Sequence, residues 1–426
     1  MMNMPKESRR GVERRIITGL DIGTSKIGVV IGQIGMEGGG MQILGVGISK
    51  SEGLRQGVVI NLDLAVRSIE KAIQEAMLTA GVEVDEVIVG IAGDHVRSVN
   101  SRGVVAVSRA DHEITQNDVD RVIDAAKAIA LPIDREVLHV LPQDFIVDAQ
   151  SGIKNPVGIS GVRLEAEVHI VTGAVTSAQN IVRSVKKSGL RVAGLVLEPL
   201  ASSYAVLDHS EKDLGVALID LGGGTTDLAL FYEGAIRHTA VIGLGGQNVT
   251  NDIALGLRTP LEQAEDIKKK FGCCHKDLVS KNEMFAVPGL GGRAPREVSR
   301  ELLRTIIQPR MEEIFSLAAK EIKRSEFGEL LGAGVVLTGG GALLEGCGLL
   351  AEEIFGLPAK VGVPQGFAGL MESASSPIFA TGVGLVLYGI ENEEGIKGFK
   401  EDEAGLFSRI YHWMRQFVDD FFGQKF

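Results

Sequence analysis

Cysteine is nearly missing from this chain: Cys273, Cys274 and Cys347 are three among 426 residues, an odd number with two adjacent members. That excludes a disulfide framework. Adjacent thiols beside His275, with no second ligand pair downstream, also make a poor tetrahedral metal site. Proline is sparse, at 12 residues against 55 glycines, while 45% of the chain is apolar. That composition suits a glycine-punctuated α/β protein rather than a disordered chain. No uninterrupted apolar run is long enough to span a bilayer, and the basic first 15 residues lack an apolar signal core, so a cytosolic chain is expected. Positive charge is not in excess, since the formal net charge is −11. Nucleic acid is therefore not expected as a ligand. The G-x-x-x-x-G-K-[ST] phosphate loop occurs nowhere, and no G-x-G-x-x-G opens a dinucleotide unit. At 426 residues the chain exceeds what one core normally supports, so two domains are expected.

What is present is one design used twice. Asp21-Ile22-Gly23-Thr24 and Asp220-Leu221-Gly222-Gly223-Gly224-Thr225-Thr226-Asp227 each follow an apolar run and lead into another, the pattern of a hairpin. A tight glycine hairpin with no ligand has the same look. The repetition favours chemistry. Glycine lets backbone N–H groups approach a phosphate, and Thr24, Ser25, Thr225 and Thr226 add hydroxyl donors. Asp21 and Asp220 offer hard oxygens for a hydrated Mg²⁺. A third loop, Val335-Val336-Leu337-Thr338-Gly339-Gly340-Gly341-Ala342, reads as a buried strand entering three glycines and then an apolar helix. Flat glycine backbone at a helix N-terminus suits a nucleoside and its anion.

With these three loops together, the chain resembles the superfamily of actin, sugar kinases and heat-shock chaperone ATPases. The resemblance implies ATP and Mg²⁺ in a cleft between two α/β domains. By it, Gly23, Thr24, Ser25, Gly222, Gly223, Gly224, Thr225 and Thr226 hold phosphates, and Gly339, Gly340, Gly341 and Ala342 the adenosine. The stretch 197–205 is similar to the family's connecting helix, which places Glu198 near the attacking water, with Asp220 beside it. Glu198 also reads as a helix-start residue before an N1 proline. The run 262–271 is similar to the actin helix flanking the adenine, so Glu262 and Lys268 are expected there; without the family it is a solvated basic face. Lys26 resembles a phosphate-directed lysine and reads equally as a solvated hairpin residue.

Segment order narrows the resemblance. A first subdomain is expected over 15–92, 170–210 and 375–390, and a second over 211–257 and 333–374 with a helical lobe inserted at 258–332. A small α+β insertion over 93–169 comes late in the first subdomain. It is expected to hold strands over 95–107, 137–148 and 162–170 and a helix over 115–130. The fold class is thus α/β, an actin-like two-domain ATPase fold with a late insertion, which is similar to the FtsA family of bacterial cell-division proteins. That resemblance implies a filament-forming ATP-binding protein at the division septum, recruiting later division proteins and anchoring FtsZ to the cytoplasmic face of the membrane. It implies weak or filament-dependent hydrolysis at most. The FtsZ tail is expected on the helical lobe at Arg293, Arg296, Arg300 and Arg304, which otherwise form a solvated basic face. A shape-determining or pilus-assembly relative and a small-molecule kinase of the same fold are the alternatives.

The end of the chain carries a separate pattern. After an N-terminal extension over 1–14 and the domains above comes an acidic, glycine-containing tether over 391–405. Then Phe407, Ile410, Tyr411, Met414, Phe417 and Phe421 follow a helical period over 406–426, joined by the chain's only tryptophan, Trp413. Seven of the 20 aromatic residues lie there, so a lipid-surface helix is expected.

Overall fold

The computed structural model describes residues 15–34, 40–280, 282–289, 291 and 293–392. The N-terminal extension and the lipid-surface residues Phe407, Ile410, Tyr411, Trp413, Met414, Phe417 and Phe421 lie outside them, as does the tether from 393 onward.

Two sheets repeat one topology. The first has the strand order Arg191–Leu197, Glu86–Ile91, Arg15–Ile22, Lys26–Ile34, Met41–Lys50, with Phe367–Gly369 added at the edge. The second runs Ala359–Val361, Val335–Thr338, Val216–Leu221, Thr226–Tyr232, Ala235–Ile242. In each, three antiparallel strands carry the hairpin, and two further strands add in parallel beside its first strand. The parallel strand Val216–Leu221 is buried along its length, which explains its apolar run Val216–Ile219. Phe367–Gly369 pairs with Met41–Ile43, so the chain has already crossed back to the first sheet ahead of the boundary expected at 375.

The insertion forms a four-stranded sheet, Arg97–Ala106, Arg163–Ala174, Arg135–Val147 and Gln150–Ile153, with the helix Gln116–Lys127 across it. That helix starts where Asp118 reaches back to accept from the Thr115 N–H at 3.0 Å. The short strand Gln150–Ile153 has no counterpart among the expected elements.

The insertion also packs on the edge strand Ala235–Ile242 of the second sheet. Ser98 donates to the Thr239 carbonyl at 3.0 Å and Gln143 to the Ile236 carbonyl at 2.8 Å. The buried His169 ring sits between Asn100 Oδ1 at 2.6 Å and Thr239 Oγ1 at 2.9 Å. On its other side the insertion is tied to the first sheet, because His139 Nε2 accepts from the Leu197 N–H at 2.9 Å.

The helical lobe holds the helices Leu261–Phe271 and Arg300–Arg324 and the small hairpin Met284–Val287 with Arg296–Ser299. The return helix Ala380–Glu391 lies against the first hairpin and the hinge helix Glu198–Val206.

Candidate functional site

The two hairpin turns meet. Each forms because a glycine-rich turn joins antiparallel strands: Asp21 pairs with Gly28 across the first, and Asp220 with Asp227 across the second. A Cβ placed on Gly223 would lie 1.8 Å from Ser25 Oγ, and one on Gly224 would lie 2.5 Å from Thr24 Oγ1. Glycine at these positions is therefore a requirement of the shared crevice, not only of the turn. The loop 243–246 closes the second turn from below, where Gly246 N–H donates to the Gly222 carbonyl at 2.9 Å and Gln247 N–H to the Gly223 carbonyl at 2.8 Å.

The third loop enters the same place. Thr338 pairs with Asp220, and the next residue, Gly339, has a φ of 80°, a left-handed backbone that favours glycine. A Cβ there would lie 2.3 Å from Asp220 Oδ1. The expected strand-to-helix step is corrected in one respect. Gly340, Gly341 and Ala342 lie in a 3₁₀ turn, Gly340–Leu343, and the α-helix begins only at Cys347. The reason is that Gly346, at φ 83°, breaks the run between them.

Charge in the crevice is unbalanced. Lys26 is bonded to Asp21, so the first turn neutralises its own carboxylate. The second has no cation of its own. Burial pushes the Asp220 carboxyl up to about 6 against the hydrogen bond from Ser202, and burial with the charge of Asp220 pushes Asp227 up to about 7. Glu198, the first residue of the hinge helix, is raised well above the usual carboxylate range by burial and then by Asp21, Asp227 and Asp220, with Lys26 opposing. Asp227 accepts from Thr225 Oγ1 at 2.9 Å through one oxygen, while its Oδ1 is buried without a hydrogen-bond partner.

These residues fit a phosphate-bound divalent cation. Hard carboxylate oxygens crowd together, one of them orphaned, with a single lysine to balance them. Among the described residues no three His, Cys, Asp or Glu side chains can jointly hold an ion. An ion that keeps most of its water and phosphate ligands, as Mg²⁺ does, suits such a site better than one caged by protein.

Lys268 reaches this region and Glu262 does not. The Lys268 amine donates to the Gly246 carbonyl at 3.0 Å and to Thr250 Oγ1 at 2.8 Å, and pairs with Glu265 at 2.7 Å. Glu262 is exposed and pairs with Lys50 of the first domain at 3.1 Å. Of the arginines expected to meet the FtsZ tail, Arg300 and Arg304 are already paired with carboxylates. Arg300 is bonded to Glu283, Glu345 and the Phe271 carbonyl, and Arg304 to Glu301 and Gln308. Arg296 donates to the Leu257 carbonyl at 2.8 Å, and Arg293 packs its backbone against Gly289. Sequence reasoning missed Asp227, although the repeated motif ends on it. It also missed Ser202, Thr381, Thr250 and Glu265, for which no local signal existed.

Comparisons with known proteins agree with this architecture. Residues 217–384 match the family model of the cell division protein FtsA, and residues 93–172 match the SHS2 domain inserted in FtsA. The cell division protein FtsA of Pseudomonas aeruginosa is 47% identical over 410 residues, covering 94% of this chain and 98% of its own. That of Escherichia coli strain K12 is 38% identical, covering 96% of this chain and 97% of its own. Among solved structures, a PilM–PilN type IV pilus biogenesis complex superposes with a TM-score of 0.64 at 18% identity, covering 88% of this chain and 98% of that one. MreB5 of Spiroplasma citri bound to ADP gives 0.55 at 16%, covering 90% and 98%. At those identities the structures speak for the actin-like fold alone. The curated relatives reach further: nearly end to end, and with its insertion in the family's place, this chain belongs to the FtsA family of cell-division proteins.

Proposed function

We propose that the crevice between the hairpins binds ATP with Mg²⁺, and that the chain polymerises and tethers FtsZ to the membrane at the septum. The observation that carries the nucleotide reading is the contact of Gly223 with Ser25 and of Gly224 with Thr24, two glycine–hydroxyl turns from different domains in one place. Gly23, Thr24, Ser25, Lys26 and Gly222 to Thr226 hold the phosphates; Asp21 and Asp220 face the metal; Gly339 to Ala342 and Lys268 line the adenosine side. The metal, when bound, neutralises phosphate charge. Glu198, its carboxyl raised by burial and by the neighbouring carboxylates, orients the attacking water, and positioning is most of what phosphoryl transfer to water requires of a side chain. Hydrolysis is slow or dependent on filament contacts.

Membrane attachment rests on the amphipathic residues 406–426, and assembly with FtsZ and later division proteins on the family. An acidic FtsZ tail meeting Arg300 or Arg304 has to displace the carboxylates of Glu283, Glu345 and Glu301, so its affinity is expected to be modest and salt-sensitive. The test is equilibrium binding of ATP to the full chain with and without Mg²⁺. Mg²⁺-dependent ATP binding is expected; no ATP affinity, or turnover on a sugar or polyol, would overturn the reading. Deleting residues 406–426 is expected to abolish sedimentation with lipid vesicles, and unchanged sedimentation would remove the membrane role.

A further inference from the structure

The hinge and return helices approach more closely than side chains permit. A Cβ on Gly384 would lie 1.9 Å from the Ala201 carbonyl oxygen, so only glycine allows the return helix to seat there. This approach brings two buried hydroxyls together, Ser202 Oγ and Thr381 Oγ1, 3.1 Å apart. A helical serine commonly satisfies itself on a carbonyl of its own preceding turn. Ser203 does so, bonding to the Leu200 carbonyl at 2.8 Å. Ser202, adjacent and equally buried, instead donates to Asp220 Oδ2 at 2.9 Å, and Thr381 reaches the same oxygen at 3.5 Å. The donors belong to the two helices at the hinge, and the acceptor to the second sheet. The other oxygen, Oδ1, faces Gly339 of the third loop.

We propose that Ser202 and Thr381 are positioning residues for Asp220. They fix Oδ2 from the hinge side and leave Oδ1 turned toward the third loop and the crevice. The inference rests on the reading of that crevice as an ATP and Mg²⁺ site. Without the two hydroxyls, Oδ2 of the buried Asp220 loses the hydrogen bonds from Ser202 and Thr381, and the carboxylate has no reason to keep its aim.

The measurement is the ratio of ATP affinity in Mg²⁺ to that in EDTA, taken on the full chain and its variants. The ratio is expected to fall about tenfold in Ser202→Ala and in Thr381→Val, the loss of a hydrogen bond to a charged group. Thr381→Ser, which keeps the hydroxyl, restores it, and affinity in EDTA stays constant throughout. Ser203→Ala, which removes a hydroxyl bonded within its own helix, leaves the ratio unchanged. If Thr381→Val keeps the wild-type ratio, or loses affinity equally in Mg²⁺ and EDTA, the hydroxyls are structural and the inference falls while the site reading stands. If the wild type itself shows no Mg²⁺-dependent ATP binding, the site reading falls and takes this inference with it. Should Ser202→Ala fail to fold, the near-isosteric comparison of Thr381→Val with Thr381→Ser decides alone.

Discussion

Two of the interfaces between the second sheet and the rest of the molecule bury polar groups. At the seam under the insertion, the His169 ring, Asn100 and Gln143 find partners on the strand Ala235–Ile242, and burial holds His169 neutral, its titration lowered to about 3. At the crevice, carboxyls are pushed up to about 6 and about 7, one oxygen has no partner, and turn glycines touch hydroxyls across the gap. Paired buried groups make a joint that fixes geometry. Unbalanced ones mark a place whose charge is completed by a ligand. On the proposed reading the seam is structure and the crevice is function.

The sharpest way to break that comparison is Glu198→Gln. If the crevice is the reactive place, single-turnover ATP hydrolysis falls about a hundredfold while ATP affinity does not fall. Equal activity would remove Glu198 from the chemistry. At the seam, His169→Leu leaves Asn100 and Thr239 without a shared partner, and urea unfolding is expected to show a loss of about 2–3 kcal/mol with ATP affinity unchanged.

Acidity separates the two interfaces by sign. A histidine whose folded titration lies below its unfolded value stabilises fully above about pH 6.5, and that stability is lost as pH falls toward 3. For His169 the loss is about 2 kcal/mol at pH 5. The crevice acids are raised in the fold, so their effect runs the other way: they cost stability as pH climbs from about 4 through 6 and 7. Stability against pH, measured in EDTA for wild type, His169→Leu and Asp227→Asn, should give difference curves of opposite slope. Smaller still is Gly223→Ala, where a methyl meeting Ser25 forces the turns apart and lowers ATP affinity about tenfold, with the seam unaffected. Smallest is Lys50→Ala. The Lys50–Glu262 pair also joins the halves, but both side chains are exposed, and no more than about 0.5 kcal/mol is expected in unfolding.

The hairpins were legible because turn chemistry is local: aspartate, glycine and hydroxyl occur within a few residues, flanked by strands. The insertion was legible for the same reason, and its long strands and helix lie within a few residues of the expected limits. The partners of the arginines expected to meet the FtsZ tail were not legible, because Glu283 and Glu345, which pair with Arg300, are 17 and 45 residues away in sequence. Glu262 was expected by helix resemblance, and its partner Lys50, 212 residues away, carried no local signal. Gln143 and the Ile236 carbonyl, 93 residues apart, carry no mutual pattern at all.

From the residues alone came the α/β class, the duplicated phosphate-type turns, the inserted unit and the amphipathic end, each written in contiguous residues whose backbone preference or period is self-sufficient. Only the tertiary structure decided which buried polar groups are satisfied, because a hydrogen bond such as Ser202 to Asp220, or His169 to Thr239, exists when two distant elements pack at one distance and orientation. Sequence specifies the groups; packing specifies their partners.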